Sequence, residues 1–434
     1  MNNSTNTDPA AGRSTTDQFV GVRAARVALA SAPVPADSAA MVEQLEELEA
    51  LRCQVAAGQL RVMDELRRAR IAERVGAGAG QDRWETGIPR EVGLALKVSP
   101  NRASSLLGTA RALRSRLRHT LSRLTAGDLS PEKVAVIVAG LSHLDEPEAV
   151  RADRDLCEEA ATLAGLGLRR LQDKVRQTAY ALDPEGTLAR IAAAAKDRRV
   201  TVRPVEDGMA RVSILLPVAQ AVGCYAALRA VASRIAGAGM EPRTLAQIMA
   251  DTAFARLTGR EVVEGQPVSV NLTVSDRVLL GEAAGTAHLD GGGTLPGEVA
   301  RQLIGRAAEH DLAWLKRLYV TPGSGAVVGM DAKSRCFPKG LASLISARDR
   351  YCRTPYCDAP IAHGDHVTGH ASGGATSVHN GQGLCRACNY AKEALGWTHD
   401  TVADPTGRHT VETTTPSGRR YRSTAPRQER PAAA

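Results

Sequence analysis

Four of the eight cysteines fall between Cys352 and Cys388 as two close pairs, Cys352-x4-Cys357 and Cys385-x2-Cys388. Such pairs can converge on one tetrahedral zinc ion, because each supplies two thiolates from a single turn. The residues between them are polar and rich in glycine, so this stretch cannot build a hydrophobic core and needs a metal clamp for its stability. Cys53, Cys157, Cys224 and Cys336 stand singly in apolar or helical surroundings and read as buried thiols. The first residues lack the basic, apolar and small-residue succession of a secretory signal. The paired cysteines therefore read as metal ligands and not disulfides, and the cytoplasm is the expected compartment.

A chain of 434 residues implies two or three domains at roughly 150 residues each. Only 3% of its residues are aromatic, which argues against stacking platforms for single-stranded bases. The net charge of +8 is uneven: from Arg301 onward 18 Lys and Arg face 11 Asp and Glu, leaving +7 there and +1 in the first 300 residues. Positive charge beside the cysteines suits a polyanionic partner, although an Arg-rich solubilising tail has the same composition. The most apolar long window, Val212 to Ala232, is interrupted by Pro217, Gln220 and Arg229, so no membrane span is expected.

The organisation along the chain predicts an α+β protein. Residues 1–38 have the composition of a disordered arm. A domain over 39–340 follows, mainly helical at first and then a small mixed α/β body. It opens with a long amphipathic helix on which Val42, Leu45, Leu48, Val55, Val62 and Leu66 recur at helical spacing. Ile88 to Leu113 reads as two helices broken at Ser99-Pro100, a serine cap followed by a first-turn proline. The pair has the outline of a helix-turn-helix, an arrangement also common in helical domains that read no DNA; Arg102, Arg111 and Arg114 leave a nucleic-acid role open. Further helices are expected over Pro131 to Leu144, Pro147 to Leu163 and Leu168 to Leu182. Val200–Pro204 and Ala210–Leu216 flank an Asp207-Gly208 hairpin turn, Val268 to Val274 alternate as a strand, and Tyr319–Asp331 reads as a hairpin leading to the basic residues Lys333, Arg335 and Lys339. A helix from Leu341 to Arg350 delivers the chain to a small metal-binding domain over 341–400, and 401–434 reads as a disordered basic tail.

Within the cysteine segment stand Asp365-His366, a Gly373-Gly374 turn, Asn380, Asn389 and Lys392. Four cysteines complete a zinc tetrahedron, which leaves His366 free for other work. A zinc deaminase is disfavoured, since no glutamate occurs from Cys352 to Cys388. Imidazole titrates near neutrality and suits proton transfer, while a carboxylate and an amide oxygen suit a hard divalent cation. Lys392 and Arg386 could meet phosphates or be solvated surface charges. His363, His370 and His379, in a polar loop, read as hydrogen-bonding surface residues sooner than as ligands of metal or substrate.

Over Cys352 to Trp397, with Gly373-Gly374, Thr376 and Asn380-Gly381-Gln382-Gly383-Leu384-Cys385, the chain resembles the HNH endonucleases. The resemblance implies a ββα-metal finger with His366, Asn380 and Asn389 at the defining positions. It implies that His366 is the general base, that Asp365 and Asn389 hold a catalytic Mg2+ or Mn2+, that Cys352, Cys357, Cys385 and Cys388 hold structural Zn2+, and that Asn380 pins the loop behind His366. The implied activity is hydrolysis of phosphodiester bonds in double-stranded DNA, leaving a 5′-phosphate and a 3′-hydroxyl. The remaining chain, with its approach Ala347-Arg348-Asp349-Arg350-Tyr351-Cys352, resembles actinobacterial proteins of the domain of unknown function 222 (13E12 repeat) type that end in such a finger. The competing reading is a zinc-stabilised DNA-binding or regulatory protein with little or no cleavage.

Overall fold

Asp37 opens the helical part by accepting a hydrogen bond from the Ala40 amide at 3.0 Å, the N-cap that stops the chain from fraying where α2 begins. The computed structural model describes residues 19–237, 241–259, 272–282, 284–289, 293–308 and 337–427. The expectations for residues 1–18, Val268, Val270, the Tyr319–Asp331 hairpin, Lys333, Arg335 and residues 428–434 lie outside the described residues. Helices α1 (Val20–Ala30), α2 (Ser38–Gly76), α3 (Ile88–Leu96), α4 (Pro100–Ser115), α5 (Arg118–Ala126), α6 (Pro131–Gly140), α7 (Glu146–Cys157), α8 (Leu168–Leu182) and α9 (Pro184–Ala194) follow in order. The described part of the N-terminal arm thus contains a helix, though an exposed one without a buried residue.

Ser99 and Ser130 cap α4 and α6, each directly before a proline, so the two Ser-Pro steps mark helix starts as the sequence predicts. One apolar core runs through α2 to α8, with Ile88, Leu113, Leu117, Leu124, Ile137, Leu156 and Leu171 almost fully buried. The α2 stripe behaves differently from expectation: Val42, Leu45, Leu48, Val55 and Val62 are exposed, and α2 packs through Cys53, Ala57, Leu60 and Met63. Small residues at 53 and 57 admit close approach of neighbouring helices, and charged residues that would mark a solvent face are paired inside. Arg70 donates to Glu91 through Nε at 3.0 Å and Nη2 at 2.8 Å, and Asp64 pairs with Arg67 at 3.2 Å and Arg114 at 3.3 Å. Arg114, one candidate DNA contact of the α3–α4 pair, stays exposed while pairing with Asp64 and Glu65 of α2.

Strands β1 (Arg199–Pro204) and β2 (Ala210–Leu215) form an antiparallel hairpin. Asp207 (φ 59°) and Gly208 (φ 71°) both lie in the left-handed region, the geometry of the tight turn that Asp-Gly favours. Helices α10 (Val218–Ala236) and α11 (Leu245–Thr258) pack together, and neither reaches the 18-residue apolar stretch of a membrane span; among the described residues no helix does. Then come β3 (Leu272–Thr273), the one-turn α12 (Asp276–Leu279), β4 (Thr286–Leu289), β5 (Gly293–Pro296) and α13 (Gly297–Ala308), with β3–β4–β5 forming one antiparallel sheet.

Helix α14 (Lys339–Asp349) leads into the cysteine segment, where β6 (His363–His366) pairs antiparallel with β7 (Gly381–Leu384) and α15 (Arg386–Lys392) follows. This ββα unit on a mainly helical body makes the protein α+β. The stretch expected to be a disordered tail is instead a three-stranded meander, β8 (Thr398–Val402), β9 (Thr410–Thr414) and β10 (Arg420–Thr424). Its threonines and arginines read as low complexity, yet Val411, Thr413 and Ala425 are buried and Thr410 bonds Thr424 at 2.8 Å. Stability here comes from cross-strand pairing and polar satisfaction, which leave no strong apolar period.

Two imidazoles belong to this meander, His399 buried on β8 and His409 half-buried before β9. Burial holds His399 down at about 2, with the charges of Arg90 and Lys392 acting in the same direction, and burial brings His409 to about 3. An unfolded histidine titrates near ~6.5, so between these values only the unfolded chain binds the extra protons. The stabilisation is complete above about pH 6.5 and is lost as pH falls toward 2–3. Between pH 7 and pH 5 the His399 term alone should cost roughly 2 kcal/mol. It should appear as a lower thermal midpoint for the C-terminal region, and His399→Phe should flatten that pH slope.

Candidate metal centre and adjoining face

The four paired cysteines do converge. Their sulfurs all lie within 4.8 Å of one another, with Cys357–Cys385 at 3.7 Å and Cys388–Cys357 at 3.5 Å. A disulfide requires about 2.05 Å, whereas ligands at about 2.3 Å from a tetrahedral zinc stand about 3.8 Å apart. The geometry fits a tetrathiolate site and excludes bonded sulfur pairs. Cys385 is also the N-cap of α15, its sulfur accepting from the Cys388 amide at 3.4 Å. Hydrogen bonds from Cys357 and Cys388 pull the Cys352 thiol down, and the same contact pushes Cys357 up. Cys352, Cys357 and Cys388 thus compete for protons, a competition that a dication relieves by binding them as thiolates. The remaining knuckle bonds are backbone ones: Cys352 N donates to Ala359 O and Arg353 N to Gly383 O, both at 2.9 Å.

Arg348 and Asp349 at the end of α14 hold the sheet from behind. The guanidinium grips the Asp349 carboxylate through Nε at 2.7 Å and Nη2 at 2.9 Å. It also donates to Val378 O at 2.6 Å and Gly381 O at 2.7 Å, while Asp349 accepts from Gly383 N at 2.7 Å. Gly381 has no room for a side chain: a Cβ would collide with Ile345 of α14 and lie 2.9 Å from Ser377 O.

Successive residues of β6 face opposite ways. His363 and Asp365 share one face, and Gly364 and His366 the other. Asp365 turns toward α15, where Lys392 Nζ reaches its Oδ2 at 3.0 Å and the His366 carbonyl at 2.9 Å. Asn389, one turn earlier on α15, places Nδ2 2.9 Å from His363 Nδ1. His366 is buried, with Nε2 2.9 Å from Thr376 Oγ1 and its ring 4.6 Å from Phe337 and 5.7 Å from His370. Burial pulls its pKa below the usual histidine range; Asp365 opposes this, and His370 and Lys392 reinforce it.

Asn380 is spent on the loop between β6 and β7. It accepts from Thr368 N at 2.9 Å and donates to Thr368 O at 3.0 Å and Ala375 O at 2.9 Å. Gly374 makes this closure possible, since a Cβ there would overlap Thr368 O and lie 2.7 Å from Asn380 Nδ2.

Two features escaped the sequence reading. Lys392 is buried and paired, neither a solvated charge nor a free phosphate contact, while Arg386 stays exposed with its guanidinium 5.8 Å from the Tyr390 ring. His363 neighbours Asn389, and its two-residue spacing from Asp365 was the available signal. His379 uses its carbonyl, accepting from His409 Nε2 at 2.8 Å.

A family model described as HNH endonuclease matches residues 350–395, and one described as Domain of unknown function (DUF222) matches residues 43–349. No curated protein and no solved structure matches the chain. The sulfur geometry predicts about one tightly held zinc per chain by elemental analysis. Cys388→Ser should lose it and open the segment after Arg350 to proteolysis, while the separate core of α2 to α8 keeps its helical signal.

Proposed function

Because the chain belongs to the DUF222 family and carries a C-terminal HNH endonuclease domain, we propose that it is a metal-dependent endonuclease that hydrolyses phosphodiester bonds of double-stranded DNA. The observation that carries this reading is the finger itself: its four sulfurs fit structural zinc, Asp365, Asn389 and Lys392 gather between β6 and α15, and the His366 ring stands on the opposite face of β6.

His366 is the general base. We assign the ring proton to Nε2, which then donates to Thr376 Oγ1 2.9 Å away, orienting the ring and leaving the Nδ1 lone pair to take a proton from water. Its lowered pKa keeps that lone pair available at neutral and mildly acidic pH. Asp365 and Asn389 are the oxygen donors for Mg2+ or Mn2+, an ion that would supply charge neutralisation at the phosphate and the departing oxygen. With its amide nitrogen turned to His363, Asn389 has its carbonyl oxygen for that role. Lys392 ties α15 to β6 through the Asp365 carboxylate and the His366 carbonyl. Asn380 acts as a positioning residue, fixing the loop that follows β6.

The wild-type chain should nick or linearise supercoiled plasmid with magnesium or manganese and not with chelator. His366→Ala should slow cleavage by about 10²–10⁴-fold, and Asp365→Ala should keep zinc and fold yet lose activity. Equal cleavage by wild type and His366→Ala would assign the base elsewhere; zinc-replete protein that binds DNA without cutting it would favour a regulatory module.

The pH profile offers a separate check. The acid limb of cleavage should fall below about 6.5, the ordinary histidine value. Lys392→Met removes a positive charge that disfavours imidazolium, so it should move that limb to higher pH. A limb that stays in place in the variant would sever His366 from the titration.

A further inference from the structure

Arg90 on α3 is the buried cation for which the helical body provides least. It is 2% exposed, and its Nε and Nη1 are buried with no hydrogen-bond partner. Other buried cations have oxygen partners: Arg70 has Glu91, Arg74 has the Trp84 carbonyl, Arg348 has Asp349, and Lys392 has Asp365. Arg90 instead lies over the Trp397 indole, 4.7 Å from its centroid. That indole follows α15, so the contact joins the helical body to the finger. Gly87 at the start of α3 brings the two together: a Cβ there would stand 2.9 Å from Trp397 Nε1, 3.0 Å from the Ala394 methyl and 3.4 Å from Ala391 O.

A guanidinium cannot shed its charge, and burying it without an anion is costly. Cation–π attraction to one indole does not replace a counter-ion. The sulfurs are the negative charge on the side to which Arg90 is docked: Gly87, one turn before Arg90, packs on Ala391, one turn after Cys388 on α15, and the cysteines oppose the lowering of the Arg90 pKa by burial. Four thiolates around one Zn2+ carry a formal charge of about −2. We infer that Arg90 of the helical body is the counter-charge of the tetrathiolate zinc centre, so that metal loading and docking of the body on the finger form one linked equilibrium. The inference rests on the zinc reading of the four cysteines. Linkage is reciprocal, so zinc tightens the docked arrangement by the factor with which docking tightens zinc.

The test uses the full-length, zinc-loaded chain. Zinc retention is measured by competition against a chromogenic chelator for wild type, Arg90→Met and Arg90→Lys. Arg90→Met keeps apolar bulk without charge and should weaken retention roughly tenfold, within the usual range of coupling between two sites. Arg90→Lys should stay near wild type. Wild-type retention in Arg90→Met, or equal loss in both variants, would overturn the inference. In the wild-type chain, zinc removal should also raise amide hydrogen exchange across Ile88–Leu94 relative to Leu107–Leu113, a readout that decides the matter even if Arg90→Met does not fold; unchanged exchange there would count against it. A wild-type chain that binds no zinc would dismiss the tetrathiolate reading itself, whereas bound zinc indifferent to position 90 would dismiss only the role of Arg90.

Discussion

The Asp349 carboxylate is the constraint around which the C-terminal part is assembled. It is 2% exposed and joins α14 to β7 through Arg348 and the Gly383 amide. Arg353 approaches it at 3.9 Å and passes on to the carbonyls of His409 and Ser423 in the meander. Removing one partner from such a buried pair typically costs about 3–5 kcal/mol, because the other charge is left uncompensated. Helix, hairpin and meander share this one cluster, so the strand that carries Asp365 and His366 has its height and tilt set from behind.

The sulfur quartet acts from the other side. It fixes the start of α15 against the turn at Cys352–Cys357, and thereby places Asn389 and Lys392 opposite β6. Carboxylate hub and thiolate cluster divide the work of positioning: one holds the hairpin, the other holds the helix. In a finger this poor in apolar residues, the contacts of Lys392 and Asn389 with β6 complete the register between the two.

Features set by local chemistry were legible in the residues. The Ser-Pro helix starts, the Asp207-Gly208 turn and the convergence of the cysteines each follow from a few neighbouring side chains. Features set by tertiary partners were not. The apolar stripe of α2 is a valid amphipathic pattern on the exposed side, because buried ion pairs and small residues decide the packing of that helix. The β8–β10 meander has too weak a period to read. The burial of Lys392 depends on Asp365, 27 positions away, a pairing that spacing alone does not announce.

The placement of the meander changes what counts as the finger. Arg353 stands inside the cysteine segment, yet its Nη2 acceptors are the carbonyls of His409 and Ser423, beyond the end of the HNH match at residue 395. An excised piece ending at that boundary would leave the Arg353 guanidinium without those acceptors and would lack Trp397 and His399. The bonded network around Arg353 therefore extends past the border drawn by similarity, and a graft or fusion cut at that border would carry Asp365 and His366 without the meander that braces their finger.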